Sequence, residues 1–120
     1  MPEPVVNVGT VVINVNDMAT EKAFWGEVLG VGIAREIGEF FTWFEPQRPG
    51  GVGIALQLVP DARAGRNRLH LDSVVDDAAA ARARIEELGG SHVEDHDMGG
   101  FAWTVMADPE GNEFCIAAVG

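Results

Sequence analysis

Residues 11–30 read VVINVNDMATEKAFWGEVLG, and residues 68–90 read RLHLDSVVDDAAAARARIEELGG. Both stretches alternate apolar and polar residues, pass through an aspartate, continue with helical spacing and stop at glycine. In the first, Val11, Ile13 and Val15 fall on one side of a strand expected over Val8–Val15, with Thr10, Val12 and Asn14 on the other. Asp17 is placed to accept a free amide of the following first turn, and Glu21 lies near the positive end of that helix. Phe24, Trp25, Val28 and Leu29 make its apolar stripe, and Gly30 ends it. In the second, Leu69–Val75 is the strand and Asp76 or Asp77 the cap. Ala78, Ala81, Ile85 and Leu88 form the buried helical face, and Gly89-Gly90 is the stop.

The doubling extends outward from these stretches. Ile33–Ile37, a Gly38-Glu39 turn and Phe40–Glu45 read as a hairpin, and the loop Pro46–Gly51 leads to a strand over Gly53–Val59. After the second helix come His92–Asp97, a Gly99-Gly100 turn, Phe101–Met106, an Asp108–Asn112 turn and Glu113–Val119. Displacing the chain by 60 positions superposes twelve identical residues, including Asp17 on Asp77, Phe41 on Phe101 and Trp43 on Trp103. Composition alone gives roughly five, and the rare Phe-x-Trp pair is the strongest match. The expectation is a single α+β domain of two βαβββ modules, residues 7–60 and 67–120, joined by the polar segment Pro60–Asn67, which reads as a solvated linker.

At 120 residues and 12.8 kDa, with 47% hydrophobic residues, such a domain can bury a core without staples. No apolar run reaches membrane-spanning length, and the start MPEPVV lacks a basic leader, so neither a membrane nor secretion is expected. The lone Cys115 fits a reducing cytoplasm. A net charge of −11 disfavours nucleic acid and anionic lipid as partners and favours a cationic small molecule.

Two βαβββ units opening in these stretches, together with the ending ADPEGNEFCIA (residues 107–117), resemble the glyoxalase/bleomycin-resistance/extradiol-dioxygenase (vicinal oxygen chelate) superfamily. The resemblance implies that each module curves into half of an open barrel cup around a central cavity, with helices outside, and that the protein forms a homodimer, often with module exchange. It also implies metal-ligand positions at Thr10, Gln57, His70 and Cys115. Thr10 stands where the superfamily usually has His, and Cys115 where it usually has Glu; threonine is a poor ligand, and a thiolate suits zinc or other soft metals.

Strand alternation directs Thr10, Val12, Asn14, Ala55, Gln57, His70, Asp72, Glu113 and Cys115 to the cavity, a row that needs hydrogen bonds or a ligand. His70, Asp72 and Glu113 are the candidates for acid/base chemistry. Trp43 and Trp103, beside Phe41 and Phe101, are expected to reach the cavity and stack a planar ligand. His92, Glu94 and His96 alternate onto one strand face, a second spacing suited to metal. The leading expectation is a binder of a small aromatic or cationic molecule through Trp43, Trp103, Phe41, Phe101, Asn14, Gln57, His70 and Asp72, with no metal cofactor. The alternative is a lyase, isomerase or dioxygenase using a divalent metal on Gln57, His70 and Cys115.

Overall fold

The computed structural model describes residues 3–118. Its first module is β1 (Thr10–Val15), α1 (Met18–Leu29), β2 (Ile33–Ile37), β3 (Phe41–Phe44) and β4 (Gly53–Leu58). The second is β5 (Leu71–Val75), α2 (Ala78–Glu87), β6 (Ser91–Met98), β7 (Phe101–Ala107) and β8 (Glu113–Ala118). Each module forms one four-stranded sheet, ordered β1-β4-β3-β2 and β5-β8-β7-β6, with the outer pair β1/β4 or β5/β8 parallel and the others antiparallel. The two βαβββ units are therefore as expected, although several ends differ. Val119, the expected last residue of the final strand, lies outside the described residues.

The helix boundaries follow from capping. Asp17 accepts the Thr20 amide at 3.1 Å, and Gly30 closes α1 in the left-handed conformation at φ 67°. Asp77, rather than Asp76, caps α2 through the Ala80 amide at 3.0 Å. At the other end of α2, a Cβ on Gly90 would sit 2.7 Å from the Ala107 carbonyl oxygen, so only glycine lets the chain turn there against β7.

Strand ends are set by pairing rather than by alternation. Thr10 is opposite Gly53, where β4 begins, so Val8 has no partner and stays exposed. Leu71 is likewise the first residue opposite β8, at Phe114, which leaves His70 just ahead of β5 instead of inside it. Phe40 sits in the hairpin turn and is exposed, while Phe44 is buried in the core.

One core crosses both modules. Val15, Phe24, Trp25, Phe44 and Leu56 of the first pack with Ile85, Met106, Phe114 and Ile116 of the second. Trp25 of α1 lies 5.0 Å from the Phe114 ring and meets Phe24 edge-on at 5.3 Å. Its indole Nε1 donates to Asp108 Oδ2 at 3.1 Å, which satisfies the one polar atom of a buried ring. The Asp108–Asn112 turn is then clamped onto the first module. Both oxygens of Glu110 accept backbone amides, from Asn16 and Asp17, each at 2.6 Å.

Glu21 lies in the first turn of α1, as its sequence position implies, and is fully buried beside Asp108. Burial, followed by the Asp108 carboxylate, pushes its pKa up to about 10, so it carries a proton at neutral pH. That proton gives its otherwise unpaired Oε2 something to donate to Asp108.

Candidate functional site

The helices cover one face of each sheet and leave the other open. On the open face of the second sheet lies a cleft of about 760 Å³, lined among others by His70, Asp72, Phe101, Trp103, Val105 and Cys115. Asp72 is directly opposite Cys115 in the parallel β5/β8 ladder, so their side chains share a face. His70, two residues before Asp72, places its Nδ1 2.8 Å from Asp72 Oδ1 and 3.8 Å from Cys115 Sγ. The remaining wall is aromatic. His96 stacks on Trp103 with centroids 4.8 Å apart and a 15° interplanar angle, and Phe101 lies 5.4 Å from the same indole.

Arg66, in the segment expected to be a solvated linker, is pinned at this cleft. Its Nε donates to Glu113 at 2.7 Å and its second nitrogen to Glu94 at 2.6 Å, which raises the guanidinium pKa further. Arg63 approaches the other Glu113 oxygen at 3.6 Å. Glu113 therefore faces the cleft, as its strand position implies, with its oxygens engaged by arginines. Arg66 is not legible as a cleft residue, because nothing in a polar linker announces which carboxylates it will reach.

The first sheet carries a matching but separate face. Phe41 is opposite Gln57, Gln57 is opposite Asn14, and Trp43 is opposite Ala55, so all five side chains share the helix-free side. Phe41 and Trp43 lie 4.1 Å apart, and the Arg35 guanidinium sits 5.3 Å from the Trp43 ring. Within one chain, however, Trp43, Phe41, Gln57 and Thr10 do not line the cleft that holds Trp103.

The expected His92–Glu94–His96 cluster does not form. A bulge between His92 and Glu94 shifts the register, so Glu94 and His96 are opposite Val105 and Trp103, whereas His92 is opposite the core residue Met106. One extra residue reverses the alternation, and His92 instead pairs with Asp95 at 3.2 Å.

The four metal positions implied by the resemblance divide between the two sheets: Thr10 and Gln57 on the first, His70 and Cys115 on the second. A hydroxyl and a thiol in place of imidazole and carboxylate do not fit a hard, oxygen-rich catalytic centre. The second sheet alone does gather His70, Asp72 and Cys115, whose donor atoms all lie within 4.8 Å of one another. Burial, reinforced by Asp72 and Glu113, pushes the Cys115 thiol upward, so without a metal it is a protonated, unreactive sulfur.

Paired βαβββ sheets, each with one helix-free face, define the glyoxalase/bleomycin-resistance/dioxygenase architecture. A family model for the glyoxalase-like domain matches residues 10–117, and the chain belongs to that family. No curated protein matches the sequence. Among solved structures, the chain is similar to a glyoxalase-related enzyme from Fulvimarina pelagi, at 19% identity over 94% of this chain and 88% of that one, with TM-score 0.73. It is also similar to lactoylglutathione lyase from Agrobacterium tumefaciens, at 18% identity over 96% and 95%, with TM-score 0.70. The fosfomycin resistance protein FosX of Listeria monocytogenes, solved with manganese(II) and dihydroxypropylphosphonic acid, is 14% identical over 96% and 90%, with TM-score 0.77. These likenesses establish the shared fold. No helix among the described residues is long and apolar enough to cross a membrane.

Proposed function

We propose that this protein binds a small aromatic or cationic molecule on the open face of its second sheet, without a catalytic metal. The observation that carries this reading is the cleft itself: an exposed Phe101 and a half-buried Trp103 beside Asp72, with Glu94 and Glu113 held by Arg66. Stacking on the indole, apolar burial and attraction to Asp72, the exposed carboxylate not engaged by an arginine, supply affinity for a planar cation. The mismatch of Thr10 and Cys115 with a hard metal centre supports binding over metal catalysis.

A second copy of the chain completes the cavity in this reading. Val12, Ile37, Val74, Met98 and Phe101 are exposed on the two helix-free faces. Exposed apolar residues on such faces call for a cover, and a second copy of the chain supplies one in this reading. The first sheet of one copy then brings Trp43, Phe41, Asn14 and Gln57 over His70, Asp72 and Trp103 of its mate.

Titration with a planar aromatic ammonium dye, at a concentration where the chain sediments as a dimer, tests both parts. Trp103→Ala is expected to weaken dye binding by about 1–3 kcal/mol, and Trp43→Ala to weaken it in the same direction. Unchanged affinity in Trp103→Ala refutes the cleft as the binding surface. A chain that sediments as a monomer refutes the shared cavity.

A further inference from the structure

We infer that Arg66 is a specificity-determining residue, which restricts the molecule held in the second-sheet cleft to a single positive charge. This role rests on the binding reading above, and it adds the charge class of the ligand and the residue that selects it.

One row of side chains crosses the whole open face of the second sheet. Asp72 on β5 is opposite Cys115 on β8, Cys115 is opposite Val105 on β7, and Val105 is opposite Glu94 on β6. Directly opposed residues project to the same side, so the row carries a carboxylate at each end with a thiol and a valine between. Three strand spacings of about 4.8 Å place the two ends roughly 14 Å apart. Trp103 stands two residues from Val105 along β7, on the same face, and supplies the stacking surface. Two open carboxylates at that separation would suit a long aromatic dication, and a net charge of −11 would draw it in.

Arg66 closes one end of this row. Its Nη2 donates to Glu94 Oε1 at 2.6 Å and its Nε to Glu113 Oε1 at 2.7 Å, so one guanidinium ties β6 to β8. The other oxygen of Glu94 meets His96 Nε2 at 3.1 Å, and that of Glu113 faces Arg63 at 3.6 Å. The Glu113 side chain is only 11% exposed, and a carboxylate so far out of water needs a cation beside it, which holds Arg66 in place. The opposite end differs. No arginine among the described residues pairs with Asp72, whose side chain is 77% exposed and touches the His70 ring. A cation stacked on Trp103 therefore meets one open carboxylate. The second charge of a dication faces the Arg66 guanidinium, and that repulsion offsets the attraction of Glu94 and Glu113.

The test titrates three aromatic probes into the full chain at low salt: a planar monoammonium, a diammonium whose charges stand roughly 14 Å apart, and a monosulfonate. In the wild type the diammonium is expected to bind no tighter than the monoammonium, and the sulfonate not at all. Arg66→Met should raise affinity for the diammonium at least about tenfold relative to the monoammonium, a gain that about 1 M salt removes. Arg66→Lys keeps the charge and should keep the wild-type ratio. The Arg66 side chain is largely exposed, so neither replacement endangers the core. Asp72→Asn should weaken the monoammonium about three- to tenfold. A wild type that already prefers the diammonium tenfold overturns the role of Arg66. So does sulfonate binding that requires Arg66, because the guanidinium is then an anion anchor. A ratio unchanged by Arg66→Met, with monoammonium binding still weakened by Trp103→Ala, overturns the role of Arg66 and leaves the binding reading standing. Binding of neither cation overturns both.

Discussion

Glu21→Gln is expected to stabilise the protein above neutral pH and to flatten its loss of stability toward alkaline conditions. In the folded chain Glu21 is fully buried against Asp108 and its pKa is pushed up to about 10; in the unfolded chain it lies near the ordinary value of 4.5. Below 4.5 both states hold the proton, and the burial carries no ionisation cost. As pH rises from 4.5 toward 10, the unfolded state releases the proton and the folded state keeps it. Stability therefore falls across that window, by at most about 1.4 kcal/mol per pH unit. Glutamine keeps the shape, carries no titrating proton and can donate an amide hydrogen to Asp108. Urea unfolding at pH 5 and pH 8 should show the wild type losing about 1–4 kcal/mol more than the variant between the two values. Parallel profiles for both proteins would mean that Glu21 is not protonated in the fold.

Trp25→Ala is expected to cost about 3–5 kcal/mol, enough to remove much of the stability of an ordinary domain. The ring is almost wholly buried, touches Phe24 and Phe114, and its nitrogen serves Asp108. Removing it opens a cavity where the modules meet and takes one donor from a buried carboxylate. Trp25→Phe separates the two effects. It keeps most of the apolar contact, loses the hydrogen bond, and should cost about 1–3 kcal/mol. Chemical denaturation of both variants measures this directly. A loss below about 1 kcal/mol for the alanine variant would show that the module contact contributes little.

Much of the fold is legible in local chemistry. Asp17 and Asp77 announce two helix starts because a short carboxylate is the best acceptor for a first-turn amide, and both serve as N-caps. Alternation correctly separates Val15, Leu56 and Ile116, which go to the core, from Asn14, Gln57 and Cys115 on the other face. Legibility fails wherever a partner strand or a distant segment decides the outcome. The bulge before Glu94 belongs to the pairing of β6 with β7, and it carries His92 away from His96. His70 falls ahead of its strand because the β5/β8 ladder starts only at Leu71 and Phe114, one residue inside β8. Glu21 reads as a first-turn acid near the positive helix end; its burial depends on the docking of the distant Asp108–Asn112 turn. Trp43 and Trp103 read as twins and occupy equivalent strand positions, yet they stand on different sheets, and only Trp103 lines the second-sheet cleft.

The clamp of Glu110 on the Asn16 and Asp17 amides spans 94 residues to Asn16, and it has a consequence for synthesis. At about 5–20 residues per second, roughly 5–20 s separate emergence of the first helix start from emergence of the carboxylate that secures it. Throughout that delay Trp25 has no Phe114 to rest on. The nascent first module must therefore wait, with an aromatic helix face exposed, for residues 110–114 to emerge. A product truncated ahead of them is left as a substrate for chaperones and proteases.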